Sequence, residues 1–287
     1  MLLFFILCSL LVLCSACGNP GQNQGNGTGS PGQNQDSGNG ESTGTEQNTA
    51  VLDQIRERGF LTAGFKTDVP DLSLYDAGTD SWSGLEVDLA YRTAARIFDV
   101  TPEEAREKKL VHLVGVTAAD REEKLENGNV DCLFATYSIN KERAERFALS
   151  NSYYTDYIGL MVRSSGDNPE SLGSGDINSI ADLDGKYIGV CRNTTTRKDF
   201  MNYTTMNSIQ VQPVFCEYEG YDVLFKALKN GSIDVMSVDV SILKGYVDGK
   251  TKILKDRFAG QNYVAAAKKE NGQLIEVINQ VIDEIKG

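Results

Sequence analysis

Apolar residues recur in two alternating patterns along residues 51–287. Spacings of three and four residues predict a helix at Leu85–Phe98, and short apolar runs predict strands at Leu110–Val116 and Val130–Ala135. The same patterns predict helices at Val51–Arg58, Asp120–Asn127 and Leu274–Ile285, and strands at Phe60–Phe65, Tyr187–Cys191 and Ile233–Val238. Helices that alternate with strands indicate an α/β fold with mostly parallel sheets flanked by helices.

One segment of this pattern occurs twice. Lys124–Asp131 reads Lys-Leu-Glu-Asn-Gly-Asn-Val-Asp, and Ala227–Asp234 reads Ala-Leu-Lys-Asn-Gly-Ser-Ile-Asp. Each predicts the end of a helix, a glycine stop and a strand that runs on into polar residues. Two α/β lobes that present strand ends to a shared cleft would explain the repeat, because open α/β sheets bind ligands at that edge. The alternative is a coincidental use of a common helix–glycine–strand joint.

The N-terminus has the pattern of an export signal. Leu2–Leu13 is apolar but shorter than the ~20 residues that span a bilayer, and small residues end the stretch at Ala16. We therefore expect residues 1–16 to be a signal peptide. A cysteine at the cleavage point is typical of bacterial lipoproteins, so Cys17 is the expected lipid attachment site. Cys14 replaces the usual leucine and no basic residue precedes the apolar stretch, so a plain secretion signal is the alternative.

Residues 17–50 are predicted to be a flexible, lipid-anchored linker. From Gly18 onward they consist mainly of Gly, Asn, Gln, Ser and Thr, and such a composition buries too little apolar surface to fold. A coil of this length has an end-to-end distance of about 30 Å. We therefore expect the globular part to lie on the extracellular face of the cell membrane.

The composition argues against several kinds of partner. The net charge of −12 disfavours nucleic acid and an anionic membrane surface. Beyond Cys17 the cysteines, Cys132, Cys191 and Cys216, have no metal-binding spacing, and the single histidine, His112, lies in an apolar run. We therefore expect no zinc site, no histidine-based catalytic triad and no cofactor.

Polar residues follow one of the predicted strands of the first half. Asn140 is a suitable N-cap, which would place Arg143 in the first turn of a helix at the mouth of the cleft. A bidentate arginine is the natural partner of a planar α-carboxylate. The Ser138 hydroxyl and the Thr136 carbonyl could contact the rest of an amino acid. The alternative for Arg143 is a solvated side chain that pairs with a glutamate of its own helix.

Two further positions follow predicted strands of the second half. Asp239 follows Ile233–Val238 and is a candidate counter-charge for an α-ammonium group, although it could instead cap the next helix. Thr194 and Thr195 follow Tyr187–Cys191 at the start of a helix. Free backbone N–H groups and hydroxyls there would form an anion site, and an ordinary threonine cap is the alternative.

Several motifs occur in the order and spacing of one protein family. They are Gly84-Leu-Glu-Val-Asp-Leu89, Thr117-Ala-Ala-Asp-Arg121, Asn127-Gly-Asn-Val-Asp131, Ala135-Thr-Tyr-Ser-Ile-Asn-Lys-Glu-Arg143, Ser150-Asn-Ser-Tyr-Tyr154, Asp182-Leu-Asp-Gly-Lys186 and Asp234-Val-Met-Ser-Val-Asp239. With them, the chain from about Val51 to its end resembles the extracellular solute-binding proteins of polar amino-acid ABC importers, and the glutamate-type members in particular. The resemblance implies a two-lobed periplasmic-binding-protein fold of type II, with the ligand in the cleft between the lobes.

The resemblance also implies roles for the residues that follow the strands. Arg143 and the Thr195 N–H would hold the α-carboxylate of the ligand. Asp239 would hold the ammonium group, with Ser138 and the Thr136 carbonyl assisting. No covalent step is implied.

The side-chain end of the implied pocket is less like the family. Arg121 lies where glutamate-type members place an arginine for a side-chain carboxylate, and Lys66 and Asp68 match a loop that lines the pocket. The aromatic residue usual in that loop is absent, however. Asn193 replaces a common glycine, and Cys191 stands where some glutamine-binding members have lysine.

Two structural questions stay open at this point. Cys191 and Cys216 end neighbouring strands in the implied topology, so a disulfide and a pair of free buried thiols are both compatible with the sequence. Family members commonly continue beyond a helix like Leu274–Ile285 with an aromatic-rich segment, whereas this chain stops at Gly287. Either the chain is truncated or its first lobe ends differently.

These patterns together predict a domain organisation and a function. Residues 51–157 and 240–287 would form lobe one, and residues 158–239 lobe two, joined by two crossing strands near Tyr157–Val162 and Val238. The protein would be a monomeric substrate-binding subunit that captures glutamate, aspartate or glutamine by hinge closure and presents it to a membrane permease. The alternatives are an enzyme on the same scaffold, such as a dehydratase with Asp68 or Glu86 as acid or base, and an extracellular amino-acid sensor.

Overall fold

The computed structural model describes residues 46–164 and 177–287. The predicted signal peptide, Cys17 and most of the predicted linker lie outside these residues. The first described helix begins at Glu46, before the predicted start at Val51, because the preceding Glu, Gln and Ala residues are good helix formers. In the described part of the chain, no helix is long and apolar enough to cross a membrane.

The described residues alternate helices and strands. The helices are α1 Glu46–Arg58, α2 Leu85–Phe98, α3 Pro102–Glu107, α4 Arg121–Glu126, α5 Lys141–Arg146, α6 Thr196–Met206, α7 Tyr221–Lys229, α8 Val240–Tyr246 and α9 Gly272–Lys286. The strands are β1 Leu61–Phe65, β2 Asp68–Val69, β3 Ser73–Asp76, β4 Ser81–Ser83, β5 Val111–Gly115, β6 Cys132–Phe134, β7 Phe147–Arg163, β8 Tyr187–Cys191, β9 Val214–Tyr218, β10 Val235–Asp239, β11 Thr251–Ile253 and β12 Phe258–Lys268. A 3₁₀ turn lies at Ile180–Asp182.

Most of the described strands share one mixed sheet, in the order β5–β1–β6–β12–β7–β10–β8–β9, with β11 beside β7. Strands β5, β1 and β6 are parallel to one another, as are β10, β8 and β9. We call the region around β5, β1 and β6 the first lobe, and the region around β10, β8 and β9 the second lobe. The predicted two-lobed α/β architecture is confirmed.

Two long antiparallel strands connect the lobes. Strand β7 pairs with β12 from Phe147 opposite Lys268 to Ile158 opposite Phe258, and farther along it pairs with β10. This central pair makes the sheet mixed, whereas the pattern of apolar residues had predicted mainly parallel strands. Leu254 and Phe258 lie in the segment 240–287 that was predicted to belong to lobe one, yet they pack into the core of the second lobe. The placement of the lobe boundaries therefore stays a prediction.

Apolar side chains cover both faces of the sheet. The largest cluster packs α1, α2 and α9 against the first lobe and continues to α7 and α8. Separate clusters fill the other face of the first lobe, around Leu125 and Leu133, and that of the second lobe, around Ile188 and Phe200. These cores hold the ends of β6, β8 and β10 in place, and the polar segments that follow these three strands come together in space.

Candidate functional site

A small polar cavity of about 10 Å³, room for about one water molecule, lies where β6, β8 and β10 end. Side chains of both lobes line it: Arg121, Thr136, Ser138, Arg143, Thr194, Thr195, Thr196, Tyr221, Val238 and Asp239. Every predicted ligand-binding residue except Lys66 and Asp68 is in this set. The cavity thus lies at the carboxyl ends of strands, which is where open α/β sheets bind their ligands.

Arg143 is buried at one side of the cavity. Asn140 caps α5 by accepting a hydrogen bond from the Arg143 N–H at 2.8 Å, as predicted. The guanidinium donates from Nη1 to the Ser138 carbonyl at 2.7 Å and from Nη2 to the Asn193 carbonyl at 3.0 Å. Its Nε lies 3.3 Å from Glu122 Oε1, so the alternative of a solvated arginine paired on its own helix is wrong. Burial lowers the pKa of Arg143, but an arginine side chain keeps its charge.

Arg121 is a second buried cation beside the first. It is 2% exposed, and its Nη1 donates to the Ala135 carbonyl at 2.5 Å and to the Thr136 carbonyl at 3.2 Å. Its Nε has no hydrogen-bond acceptor among the described residues. The ring of Tyr137 lies against both guanidinium groups, 4.8 Å from Arg121 Cζ and 4.0 Å from Arg143 Cζ. Stacking on a single ring holds the two cations close to each other.

Asp239 provides the negative charge of the cavity. Its Oδ2 accepts a hydrogen bond from the Tyr263 hydroxyl at 2.6 Å, and its side chain makes no capping bond to α8. The first turn of α8 is satisfied instead by Asp156, which accepts from the Ser241 N–H at 2.9 Å. The alternative role of Asp239 as a helix cap is therefore not realised. Burial raises the pKa of Asp239 to about 7.

The segment between β8 and α6 reaches across to the first lobe. Asn193 adopts a left-handed conformation (φ 58°), and its side-chain Nδ2 donates to the Ala119 carbonyl at 2.7 Å. Thr195 makes no side-chain cap to α6, and its hydroxyl donates to Gln261 Oε1 at 3.0 Å. Thr194 donates to the Cys191 carbonyl at 2.7 Å. Neither threonine therefore has the ordinary capping role.

Lys66 and Asp68 are not among the residues that line the cavity, so their role in the pocket stays a prediction. The ammonium group of Lys66 lies 2.8 Å from Asp68 Oδ1 and 3.9 Å from the centre of the Tyr221 ring. Asp68 Oδ2 accepts a hydrogen bond from the Tyr246 hydroxyl at 2.6 Å. The two charges are compensated by each other and by these aromatic residues, so Tyr221 is the group that faces the cavity.

Three lining residues were not predicted from the sequence. Tyr221 begins α7, directly after the turn that follows β9, and Val238 precedes Asp239 in β10. Thr196 is the first residue of α6. Tyr221 could have been found by treating Val214–Tyr218 as a strand, because the residues after a parallel strand reach the same edge of the sheet.

The described cysteines are free thiols. In the paired strands β8 and β9, Cys216 lies opposite Gly189 and Cys191 lies opposite Tyr218, so the two cysteines are out of register. Burial raises the pKa of Cys191 to about 11. Among the described residues, no group of His, Cys, Asp and Glu side chains has the arrangement of a metal site.

Comparison with known proteins adds an independent result. Residues 61–287 match the profile of the bacterial extracellular solute-binding proteins, family 3. The chain is 28% identical over 237 residues to the glutamate-binding protein GluB of Corynebacterium efficiens. This alignment covers 80% of this chain and 75% of the relative. It is 25% identical over 280 residues to the ABC transporter glutamine-binding protein GlnH of Bacillus subtilis, over 96% of this chain and 88% of the relative.

A solved structure with the same architecture is the holo form of the arginine-binding protein ArgBP from T. maritima. The TM-score is 0.66 at 24% sequence identity, over 82% of this chain and 93% of that one. At this identity the likeness shows the fold alone. The fold is the two-lobed type II fold of periplasmic binding proteins.

Proposed function

Because this chain belongs to the bacterial extracellular solute-binding proteins of family 3, we propose that it is the substrate-binding subunit of an ABC importer. Its ligand would be a polar or acidic amino acid of the glutamate, aspartate and glutamine class. The relatives named above as glutamate-binding and glutamine-binding proteins support this class. The proposal includes delivery of the amino acid to a membrane permease and a monomeric state.

One observation carries the proposal: a buried guanidinium and a buried carboxylate line the same cavity. A zwitterionic amino acid matches this pair of charges, because its carboxylate and ammonium are held on one carbon atom. Arg143 and the Thr195 N–H would hold the α-carboxylate through charge-assisted hydrogen bonds. Asp239, Ser138 and the Thr136 carbonyl would hold the ammonium group.

The remaining lining groups bear on the ligand's side chain. Arg121 adds a second positive charge, and its Nε has no acceptor among the described residues. Tyr221 also lines the cavity. Thr194 contributes another hydroxyl nearby. The positive charge of Arg121 and its unpaired Nε–H favour a side chain that ends in a carboxylate or an amide oxygen, and they disfavour a cationic one.

Hinge closure is the conformational change we propose for binding. The Arg143 guanidinium reaches the Asn193 carbonyl, and the Asn193 amide reaches the Ala119 carbonyl, so both contacts join the two lobes. Lys66 of the first lobe also packs on the ring of Tyr221 in the second. A ligand that contacts both lobes adds to these bonds and stabilises the closed form.

A proton-transfer enzyme is less well supported by the geometry. Asp68 is occupied by Lys66 and Tyr246, and Glu86 is fully buried and bonded to three donors within the protein. Neither carboxylate lines the cavity, and a general acid or base must come within hydrogen-bond distance of the substrate. Binding without chemistry therefore remains the proposal.

Anchoring at the membrane is a further part of the proposal. Cys17 would carry the lipid, and the residues after it would form the tether. A diffusing receptor would thereby be kept near its permease. Mass spectrometry of the mature N-terminus tests this point, since an unmodified N-terminus after cleavage would leave a plain secreted protein.

Calorimetry with the common amino acids tests the binding function. An amino acid at 100 times its Kd should add about 2.7 kcal/mol to the free energy of unfolding. Arg143→Ala should abolish binding of every ligand. Arg121→Ala should weaken the binding of amino acids with acidic side chains more than that of neutral ones. Arg92→Ala, on the exposed side of α2, is the control and should bind normally. If no amino acid binds, or if Arg143→Ala binds like the wild type, the proposed function is wrong.

A further inference from the structure

Glu86 is a completely buried acidic residue in the first turn of α2. Its Oε1 accepts hydrogen bonds from the Thr136 N–H at 2.7 Å and the Tyr153 hydroxyl at 2.6 Å. Its Oε2 accepts one from the Ser73 hydroxyl at 2.7 Å. Burial raises the pKa of Glu86, whereas these donors and the charge of Lys66 favour the ionised form. Each carboxylate oxygen already has a close donor within the protein.

The peptide group between Ala135 and Thr136 is held from both sides. Its N–H donates to Glu86, and its carbonyl oxygen accepts from Arg121 Nη1 at 2.5 Å. The N–H and C=O of a trans peptide point in opposite directions. A rotation of this peptide plane would therefore break a hydrogen bond to a buried anion and another to a buried cation. Glu86 and Arg121 together clamp the plane.

Thr136 needs such a clamp because its backbone lies in the left-handed region, at φ 46°. A β-branched residue is strained there, and strain of this kind persists only where the surroundings impose it. The conformation sets the direction of the Thr136 carbonyl. The Thr136 hydroxyl has no partner among the described residues, and Thr136 lines the cavity. The clamped segment is therefore part of the ligand site.

We propose that Glu86 is a positioning residue for ligand binding, which acts through the Ala135–Thr136 peptide without contacting the ligand. This inference rests on the proposed function, because it assumes that Thr136 and Ser138 meet the ammonium group of an amino acid. It has a specific consequence. A change at Glu86 weakens all amino-acid ligands to the same degree, since the α-ammonium group is common to them.

Two substitutions of Glu86 distinguish the effect of side-chain length from the effect of side-chain charge. Glu86→Asp keeps the charge but is one methylene shorter, so its carboxylate cannot stay in contact with Thr136, Tyr153 and Ser73 together. Glu86→Gln keeps the length: its oxygen can face Thr136 and Tyr153, and the Ser73 hydroxyl can turn to accept from the amide. We expect calorimetric Kd values for L-glutamate and L-glutamine to rise about tenfold in Glu86→Asp and less than about threefold in Glu86→Gln.

A matched control lies on the same helix. Thr93 is fully buried in α2, and its hydroxyl donates to the Leu89 carbonyl at 2.8 Å. Thr93→Ala should lower the melting temperature without changing either Kd, because it does not touch the clamped peptide. The amide proton of Thr136 gives a direct readout by ¹H–¹⁵N NMR. It should resonate at low field in the wild type and move upfield in Glu86→Asp.

The outcomes distinguish this inference from the proposed function. A Glu86→Asp protein that melts earlier but binds with the wild-type Kd would show a merely structural residue and overturn the inference. An unmoved Thr136 amide resonance would do the same. If Glu86→Asp does not fold, Glu86→Gln carries the test: we expect an upfield Thr136 amide and a small rise in Kd by the same factor for L-glutamate and L-glutamine, and no rise or an unequal one would overturn the inference. If the wild type binds no amino acid, the proposed function fails first, and the inference falls with it.

Discussion

Glu86 and Asp239 are both buried carboxylates near one cavity, yet the protein supplies them with different numbers of donors. Glu86 accepts three hydrogen bonds, at 2.6–2.7 Å. Among the described residues, Asp239 accepts one, from the Tyr263 hydroxyl at 2.6 Å. That hydroxyl also lies 3.2 Å from Asp156 Oδ2, although it has a single proton to donate. Asp239 is thus the carboxylate whose bonding capacity the protein leaves incomplete.

This difference in the number of donors fits the two roles that we propose: Glu86 would position the site, and Asp239 would be available to bind a ligand. A buried carboxylate is stable when donors or a cation compensate its charge. Glu86 has this compensation within the fold and does not line the cavity. The pKa of Asp239 is raised by burial and by the charges of Asp156 and Asp199, against the opposing effects of Tyr263 and Arg121. An ammonium group from outside would complete its bonding.

Of the changes to these two carboxylates and their donors, the largest expected effect comes from removing the charge of Asp239. Asp239→Asn keeps the shape and the hydrogen bond from Tyr263 but cannot balance an ammonium ion. We expect its Kd for every amino acid to rise at least about 100-fold, because hydrogen bonds to charged groups contribute about 1.5–3 kcal/mol and the ammonium would be buried unpaired. Calorimetry on the folded variant measures this. A Kd within threefold of the wild type would remove Asp239 from the site.

The pH dependence of binding should show the same group without mutation. The pKa of Asp239 is about 7 in the folded protein, so its ionised fraction falls about tenfold per pH unit well below that value. Affinity for an amino acid should therefore decrease as pH falls from about 8 to 6, by up to about tenfold. Asp239→Asn should remove this slope, and a wild-type affinity independent of pH would contradict the assignment.

Stability of the ligand-free protein should change with pH in the opposite direction. The folded-state pKa of Asp239, about 7, lies above the ordinary aspartate value near 3.9. The folded state thus binds more protons between these values, so the contribution of Asp239 makes unfolding easier as pH rises through that window. Urea titrations of wild type and Asp239→Asn at several pH values would show the difference as a changed slope.

A smaller effect is expected when the hydrogen bond from Tyr263 to Asp239 is removed. Tyr263→Phe keeps the ring, which stacks on Tyr154 at 5.7 Å between centroids. Because the Tyr263 hydroxyl lowers the pKa of Asp239, its loss should raise that pKa further and weaken binding at pH 7 about three- to tenfold. Binding should recover at higher pH. A deficit that is the same at pH 7 and pH 9 would point to a packing defect instead.

The smallest effect on binding should come from removing one donor to Glu86. Ser73→Ala leaves the bonds from Thr136 and Tyr153 intact, so the clamped peptide keeps its anion. We expect a loss of about 1–3 kcal/mol in the free energy of unfolding and a Kd within about twofold of the wild type. A large loss of affinity would mean that the Glu86 arrangement tolerates no missing donor.

Sequence reasoning located most of the elements, because each depends on a local pattern. The helix at Leu85–Phe98 and the strand at Tyr187–Cys191 agree with the structure at both ends. A crossing strand near Tyr157–Val162 was predicted and lies in β7, whereas the other was expected near Val238 and β12 was not recognised. The side chains of β7 and β12 face different neighbours along their length, so neither strand shows a regular alternation of apolar and polar residues.

In the candidate site, too, some positions could be proposed from the sequence and others depend on contacts between distant segments. Arg143, Asp239 and Thr195 could be proposed from the sequence, because they lie at or after the ends of predicted strands and the family resemblance implies their roles. Lys66 and Asp68 are not among the residues that line the cavity, since Lys66 packs on the Tyr221 ring and Asp68 bonds to the Tyr246 hydroxyl, both from distant segments. No local pattern encodes those contacts.

The sequence by itself determined the alternation of helices and strands, the two lobes and the residues at the strand ends, because these follow from periodicity and from polar residues at fixed offsets. Only the tertiary structure decided how many donors each buried charge receives. Glu86 meets Ser73, Thr136 and Tyr153 across three separate segments, whereas Asp239 meets one hydroxyl. The cost of burying a charge depends on these long-range partners, and they exist only once the chain has folded.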